Sequence, residues 1–274
     1  MSLGHLHPPS GPEGVIDVAG WLPAAAAVGA LLGGYLVLLV RRQLLIPRPW
    51  SPWRTTSWVI GCLLIGLGLS PLVHGPGASD HMLQHLLLGM YGPVFLVLGA
   101  PVTVVFGAAP PAWRRRLGKI LGQRPVGVLT HPVTAGVLHV GPLFLLYLTG
   151  LYELTMTVPL WHGALNLHFV AAGCLFAWSI AGPDPAPRRP GIILRAVVLV
   201  LSAGLHAWLA KLLYAGAAEL PAASLHAPQE LRAAAELMYY AGDGAELILA
   251  VALFGTWYIR RRRRYDRART AAAA

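Results

Sequence analysis

The residues best suited to chemistry in this chain are histidines. Asp80-His81-Met82-Leu83-Gln84-His85 places two imidazoles four residues apart. On a helix those positions share a face, about 6 Å apart along the axis. Met82, three residues before His85, shares part of that face. His162 and Asn166 repeat the four-residue spacing, whereas His168 is turned roughly 120° from His162. His206 and Lys211 follow in a later apolar run, and Asp243 and Glu246 lie three apart in the last one.

Imidazole binds copper, zinc, iron and nickel, and a thioether shifts the preference toward Cu(I). Histidine with methionine, and no C-x-x-C, fits copper better than structural zinc. Carboxylates in such a cluster attract a cation or take up the proton that metal binding displaces. Two other chemistries use the same residue types. Two histidines on different helices at similar depth can be axial haem ligands, and His85, His168 and His206 have compatible depths. Asp243, Glu246 and Lys211 can form the relay of a cation or proton transporter, or simply pair with one another. Met90, Met156 and Met238 read as packing residues. The chain contains no G-x-S-x-G, Walker loop or H-E-x-x-H, so no enzyme class is supported.

The elements that must carry these residues follow from composition. Of 274 residues, 56% are hydrophobic and 12% charged, and the mean hydropathy is +0.60. A soluble domain carries about 25% charged residues, so a water-soluble enzyme, a disordered chain and a secreted disulfide scaffold are excluded. The two cysteines, Cys62 and Cys174, both lie in apolar runs. The N-terminus lacks a basic segment, and no cleaved signal peptide is expected.

A membrane-spanning helix needs about 20 mostly apolar residues. Seven stretches qualify, near 18–40, 57–74, 81–106, 132–151, 161–181, 192–214 and 236–259. They lack the alternation of barrel strands. The expected fold is therefore an all-α bundle of seven transmembrane helices over 18–259, between an arm at 1–17 and a basic tail at 260–274, with Pro93 kinking the third span.

Of the 21 Lys and Arg, 19 fall beside one set of helix ends, and Lys211 and Arg232 are the exceptions. The net charge of +10 is thus a topological signal rather than a nucleic-acid surface. Placing the basic side in the cytoplasm puts the N-terminus outside and the C-terminus inside. Nine of the 11 histidines then fall in the outer half. Of these, His5, His7, His74 and His226 read singly as snorkelling or interhelical hydrogen-bonding residues. Gly29, Gly33 and Gly34, with Gly61 and Gly66, are close-packing surfaces that a homodimer would use, although such glycines more often pack helices within one subunit.

The same segments carry a family pattern. His81-Met82-Leu83-Gln84-His85 leads to Pro93 and then Gly99-Ala100-Pro101. Thr130-His131-Pro132 opens span four, and His162, His168-Phe169 and Gly173 lead to Gly182-Pro183-Asp184-Pro185. His206-Ala207-Trp208 and Gly242-Asp243-Gly244-Ala245-Glu246 follow. This ordered set, across residues 20–260, resembles the integral-membrane CtaG-like assembly factors of caa-type cytochrome c oxidase. The resemblance implies a multi-pass protein of the cell membrane that matures a haem-copper oxidase by handling copper at the outer face. Oxidase subunits, an extracytoplasmic copper donor and membrane lipid are the implied partners. Some members place a second histidine where this chain has Asn166, which leaves His162 or His168 as the donor from span five. The expected site is His81, His85 and His206 or His168, with Met82 as a soft ligand and Asp243 and Glu246 orienting ligands or attracting the ion.

Overall fold

The computed structural model describes residues 18–186, 188–221 and 226–272. The expected N-terminal arm, with His5 and His7, lies outside them. Twelve α-helices occur among the described residues: α1 Val18–Leu45, α2 Pro52–Gly68, α3 Ala78–His85, α4 Gly92–Leu98, α5 Pro101–Ala108, α6 Pro111–Leu121, α7 Arg124–Leu129, α8 Pro132–Leu148, α9 Leu151–Thr157, α10 Pro159–Ala181, α11 Ile192–Ala215 and α12 Pro228–Ala272. No strand occurs among them.

Five helical stretches are long and apolar enough to cross a membrane, and a sixth is added if α8 and α9, bent by 87°, form one span. The seventh expected span corresponds to α2, which has 17 residues and is about 26 Å long. The last candidate span, Pro228–Ile259, starts earlier than expected and ends where expected, while its helix α12 continues through the basic residues to Ala272.

The third span is the centre of the bundle. Its apolar window, within Ala78–Leu98, is 78% buried, against 17% for α1 at the periphery. It packs against α2, α10 and α12. Pro93 shapes it, though not as a simple kink. Proline has no N–H, and its ring crowds the carbonyl four residues back, here that of Gly89. A π-helical segment, Leu86–Tyr91, absorbs the conflict, and the Gly92 N–H donates to the Leu87 carbonyl, five residues back. The Gly89 carbonyl then sits against α10 so closely that a Cβ on Gly173 would lie 2.0 Å from it. Only glycine permits that contact. Gly61 and Gly66 are likewise used within the subunit, facing Leu96 and Val28, whereas Gly29, Gly33 and Gly34 face open space.

The central span ends at Leu98 rather than 106. Ala100 adopts φ 56°, a left-handed conformation costing roughly 1–2 kcal/mol for a residue with a Cβ, and α5 then starts afresh at Pro101. The Asp184 carboxylate stabilises this break. It accepts the backbone N–H of Val102 (3.2 Å) and Thr103 (2.7 Å) and the Thr103 hydroxyl (2.5 Å), so it caps α5 from a remote loop. Burial pushes its carboxyl up from the usual range, while the Thr103 and Val102 hydrogen bonds and Arg54 pull it back. The Gly99-Ala100-Pro101 and Gly182-Pro183-Asp184-Pro185 motifs therefore form one clasp. Nearby, Arg195 donates to the Ile180 carbonyl at 2.9 Å and Arg189 to that of Gly182, covering the last carbonyls of α10.

Asp184→Ala removes three acceptor contacts and is expected to cost about 2–3 kcal/mol, against about 1 kcal/mol for Thr103→Val. Thermal unfolding in detergent checks that ordering.

Candidate functional site

At the end of the bundle opposite the clasp, the central span presents His81 and His85 to the interior, 5% and 1% exposed. The helical repeat puts both on one face, but their neighbours differ. His81 faces His162 of α10, with ring centres 6.2 Å apart, and meets the edge of Tyr152 in α9 at 5.3 Å. His85 faces His206 of α11 at 6.1 Å and packs on Phe169 at 4.5 Å. Two imidazole pairs thus lie one helical turn apart, each joining the central span to a different helix.

The nitrogens of these rings lack partners. Both nitrogens of His81, His85 and His206, together with Nε2 of His162, are buried without a hydrogen bond. A buried polar atom left unpaired costs about 1–3 kcal/mol, so this cluster of unsatisfied nitrogens marks a place where a ligand would restore what folding gave up. Asn166, one turn from His162 and buried, adds an unpartnered Oδ1.

The pair separations suit a metal ion. An imidazole nitrogen lies about 1.2 Å from its ring centre and about 2.0 Å from a bound ion, so two rings facing one ion from opposite sides have centres roughly 6.4 Å apart. The values of 6.1 and 6.2 Å fall close to that. Among the described residues, however, no three His, Cys, Asp or Glu side chains are gathered closely enough to hold an ion together. The structure arranges paired donors rather than a closed cage.

The last helix shapes the deeper pair through Gly242-Asp243-Gly244-Ala245-Glu246. A Cβ on Gly242 would lie 2.4 Å from His206 Cε1, and one on Gly244 would lie 2.6 Å from the Tyr91 hydroxyl. That hydroxyl donates to the Ala241 carbonyl at 2.8 Å and fastens α12 to the π-helical segment. Glu246 places Oε1 3.9 Å from His206 Nδ1, too far for a hydrogen bond. Asp243 is exposed, so only one of the two expected carboxylates borders the imidazoles. Lys211 pairs with neither. Its ammonium lies over the Tyr239 ring at 5.1 Å.

Met82 is buried with its sulfur 3.9 Å from the Tyr147 hydroxyl, and it lines a narrow cavity with His81 and Tyr152. His168 is placed against α8, its Nε2 3.1 Å from the Leu138 carbonyl. His74 was not among the expected donors, and the structure puts it 5.9 Å from His162. Its Nδ1 lies 2.8 Å from the Ser70 carbonyl, and its Nε2 lies 2.9 Å from Gln84 Nε2. The first contact requires a proton on Nδ1, so Nε2 accepts from Gln84 and both ring nitrogens are engaged. His139 stacks on Phe176 at 4.7 Å and shares a small cavity with Glu246. No spacing rule in the sequence links His74 or His139 to the other rings, because both reach the cluster only through packing.

A family model described as cytochrome c oxidase caa3 assembly factor (Caa3_CtaG) matches residues 33–260. Curated relatives include uncharacterized protein Mb0105 of Mycobacterium bovis, 36% identical over 150 residues, which is 51% of this chain and 23% of that protein. Uncharacterized protein ML1998 of Mycobacterium leprae is 32% identical over 193 residues, 66% of this chain and 29% of that protein. The chain thus spans about a quarter of the length of these relatives. No solved structure matches.

Gly242→Ala should displace the His206 ring and lower stability by about 1–3 kcal/mol, as overpacking does. Gly255→Ala, where a methyl meets nothing within 4 Å, should stay within about 0.5 kcal/mol of the parent. Thermal unfolding of both variants in one detergent makes the comparison.

Proposed function

The chain belongs to the cytochrome c oxidase caa3 assembly factor family, and on that premise we propose that it is a copper-handling membrane protein, not an enzyme, that helps to mature a haem-copper oxidase. The observation that carries the proposal is the set of buried imidazole nitrogens without partners on His81, His85, His162 and His206. Copper is the cargo, and oxidase subunits and an extracytoplasmic copper donor are its partners in delivery.

The chemistry supports Cu(I) as the bound form. Cu(I) accepts few ligands and tolerates soft ones, so a pair of imidazoles near 6 Å with Met82 beside the outer pair is a sufficient donor set. Neutral imidazoles add no charge to the interior, and Glu246 beside His206 offsets that of the ion. His81 and His85 on one helix give two stations one turn apart, so an ion can pass from the His81–His162 pair to the His85–His206 pair without a large movement of the backbone. The same separation would suit a haem between His85 and His206. A macrocycle needs a wide slot around both rings, and Phe169 at 4.5 Å from His85 and Gly242 against His206 occupy that space.

The proposed membrane arrangement is supported by the apolar runs and the placement of Lys and Arg. The protein crosses the cell membrane seven times, with α2 as the short crossing and α8–α9 as a broken one. Its N-terminus is outside and its basic tail, from 260 onward, is in the cytoplasm, as the Lys/Arg distribution requires. The imidazole pairs then open toward the outer face, where oxidase copper is delivered.

Two measurements test this. In an anaerobic Cu(I) titration against a chromophoric competitor, the His81→Ala/His85→Ala variant should lose the copper bound by the parent, and unchanged stoichiometry overturns the proposed site. A reporter fused after Ala274 should be active only in its cytoplasmic form, and activity of an exported reporter there inverts the topology.

A further inference from the structure

A second polar feature at the histidine end lies outside the imidazole cluster. Between α11 and α12 a lateral groove of about 380 Å³ is lined by Lys211, Tyr214, Glu236, Tyr239 and Tyr240 over a floor of Ala210 and Ala235. The two alanines are almost fully buried, 1% and 2% exposed, and their small side chains form the groove floor. Its volume lies within the range of small-ligand sites, about 300–1,000 Å³. Ala235 also lines the cavity of His81, so the groove lies at the depth of the outer imidazole pair.

Side chains of both signs of charge border it. Lys211, exposed on α11, rests over the Tyr239 ring at 5.1 Å, and Arg232, on α12 one turn before Glu236, lies over Tyr214 at 6.0 Å. On α12, Glu236 is exposed, and Asp243 is exposed two turns further along. Among the described residues, neither Lys211 nor Glu236 takes part in an ion pair. Three tyrosines around one groove are the aromatic belt of a membrane surface, where an apolar ring meets the polar headgroups. Beyond the groove toward the midplane, exposed Val200 and Val197 on α11 and Leu247 and Val251 on α12 continue as an apolar track.

One cation, one carboxylate, an aromatic belt and an apolar track together match one kind of molecule. We propose that this groove holds an aminophospholipid, its phosphate on Lys211 and its ammonium on Glu236 and the face of Tyr240, with the acyl chains along the apolar track. An anionic lipid without an amine satisfies Lys211 and leaves Glu236 repelled. A choline headgroup fills the aromatic belt but cannot donate a hydrogen bond to the carboxylate. The ethanolamine headgroup satisfies both groups.

The site is read by native mass spectrometry of the full chain, delipidated and exchanged against an equimolar mixture of phosphatidylethanolamine, phosphatidylglycerol and phosphatidylcholine. The parent should retain phosphatidylethanolamine about fivefold over the others, the scale of one or two exposed charge contacts. Glu236→Gln should erase the preference over phosphatidylglycerol, Lys211→Gln should weaken retention of all three phosphate-bearing headgroups, and Lys211→Arg should restore it. Equal retention of all three lipids by the parent overturns the proposal and leaves the groove to a protein partner. A preference that survives Glu236→Gln and Lys211→Gln overturns it too. Both side chains are exposed, so neither substitution disturbs the packed interior.

Discussion

The constraint on which this structure depends is the missing N–H of Pro93 inside a buried helix. A polypeptide in a membrane has no water to complete its hydrogen bonds, so a defect in the ladder must be absorbed by the chain itself. Here the helix widens into the π-helical turn Leu86–Tyr91 directly after His85. The widened turn brings the Gly89 carbonyl against Gly173 and turns Tyr91 toward the carbonyl of Ala241. One proline thereby sets how closely α10 approaches the central span and where α12 is fastened. Those two helices carry His162 and Glu246. π-Helical turns of this kind are frequent at functional sites, and the reason is visible here: the irregular turn determines which neighbouring helices reach the imidazoles.

The two ends of the bundle solve different problems. At the basic end, several groups are tied by partners from elsewhere in the chain. Asp184 caps α5, Arg195 and Arg189 donate to the Ile180 and Trp178 carbonyls of α10, and Trp50 is held between Arg42 and Arg54 at 4.5 and 4.9 Å. At the histidine end, ring nitrogens of His81, His85, His162 and His206 lie buried without a hydrogen bond.

Much of this was legible in the residues. The apolar runs and the placement of Arg and Lys make the chain an all-helical membrane protein, and His81 and His85 four apart on one of those helices make a shared face unavoidable. The ordered motifs led to the family that the family model also identifies. Seven runs qualify by apolar length, whereas five or six helical stretches among the described residues are long enough to cross, because α2 is short and α8 breaks at Thr149. The end of the third span was misplaced at 106 because apolar composition continues through 101–106. The chain turns at Ala100 only because Asp184, more than 80 residues away, stabilises the new helix start. Asp243 and Glu246 looked equivalent by spacing, yet rotation of α12 about its axis, fastened by Tyr91, leaves one exposed and the other beside His206.

By itself, therefore, the sequence determined what depends on local period and composition: helices, their apolar lengths, the sidedness of charge, and imidazoles at i and i+4. Pairing was decided by tertiary structure alone. That His81 meets His162 while His85 meets His206, and that His168 turns to the Leu138 carbonyl, depends on the axial rotation and approach of separate helices. Those are set by contacts such as Gly173 on Gly89 and Gly242 on His206. Periodicity tells which face a residue occupies, but contacts between helices far apart in the chain decide what that face meets.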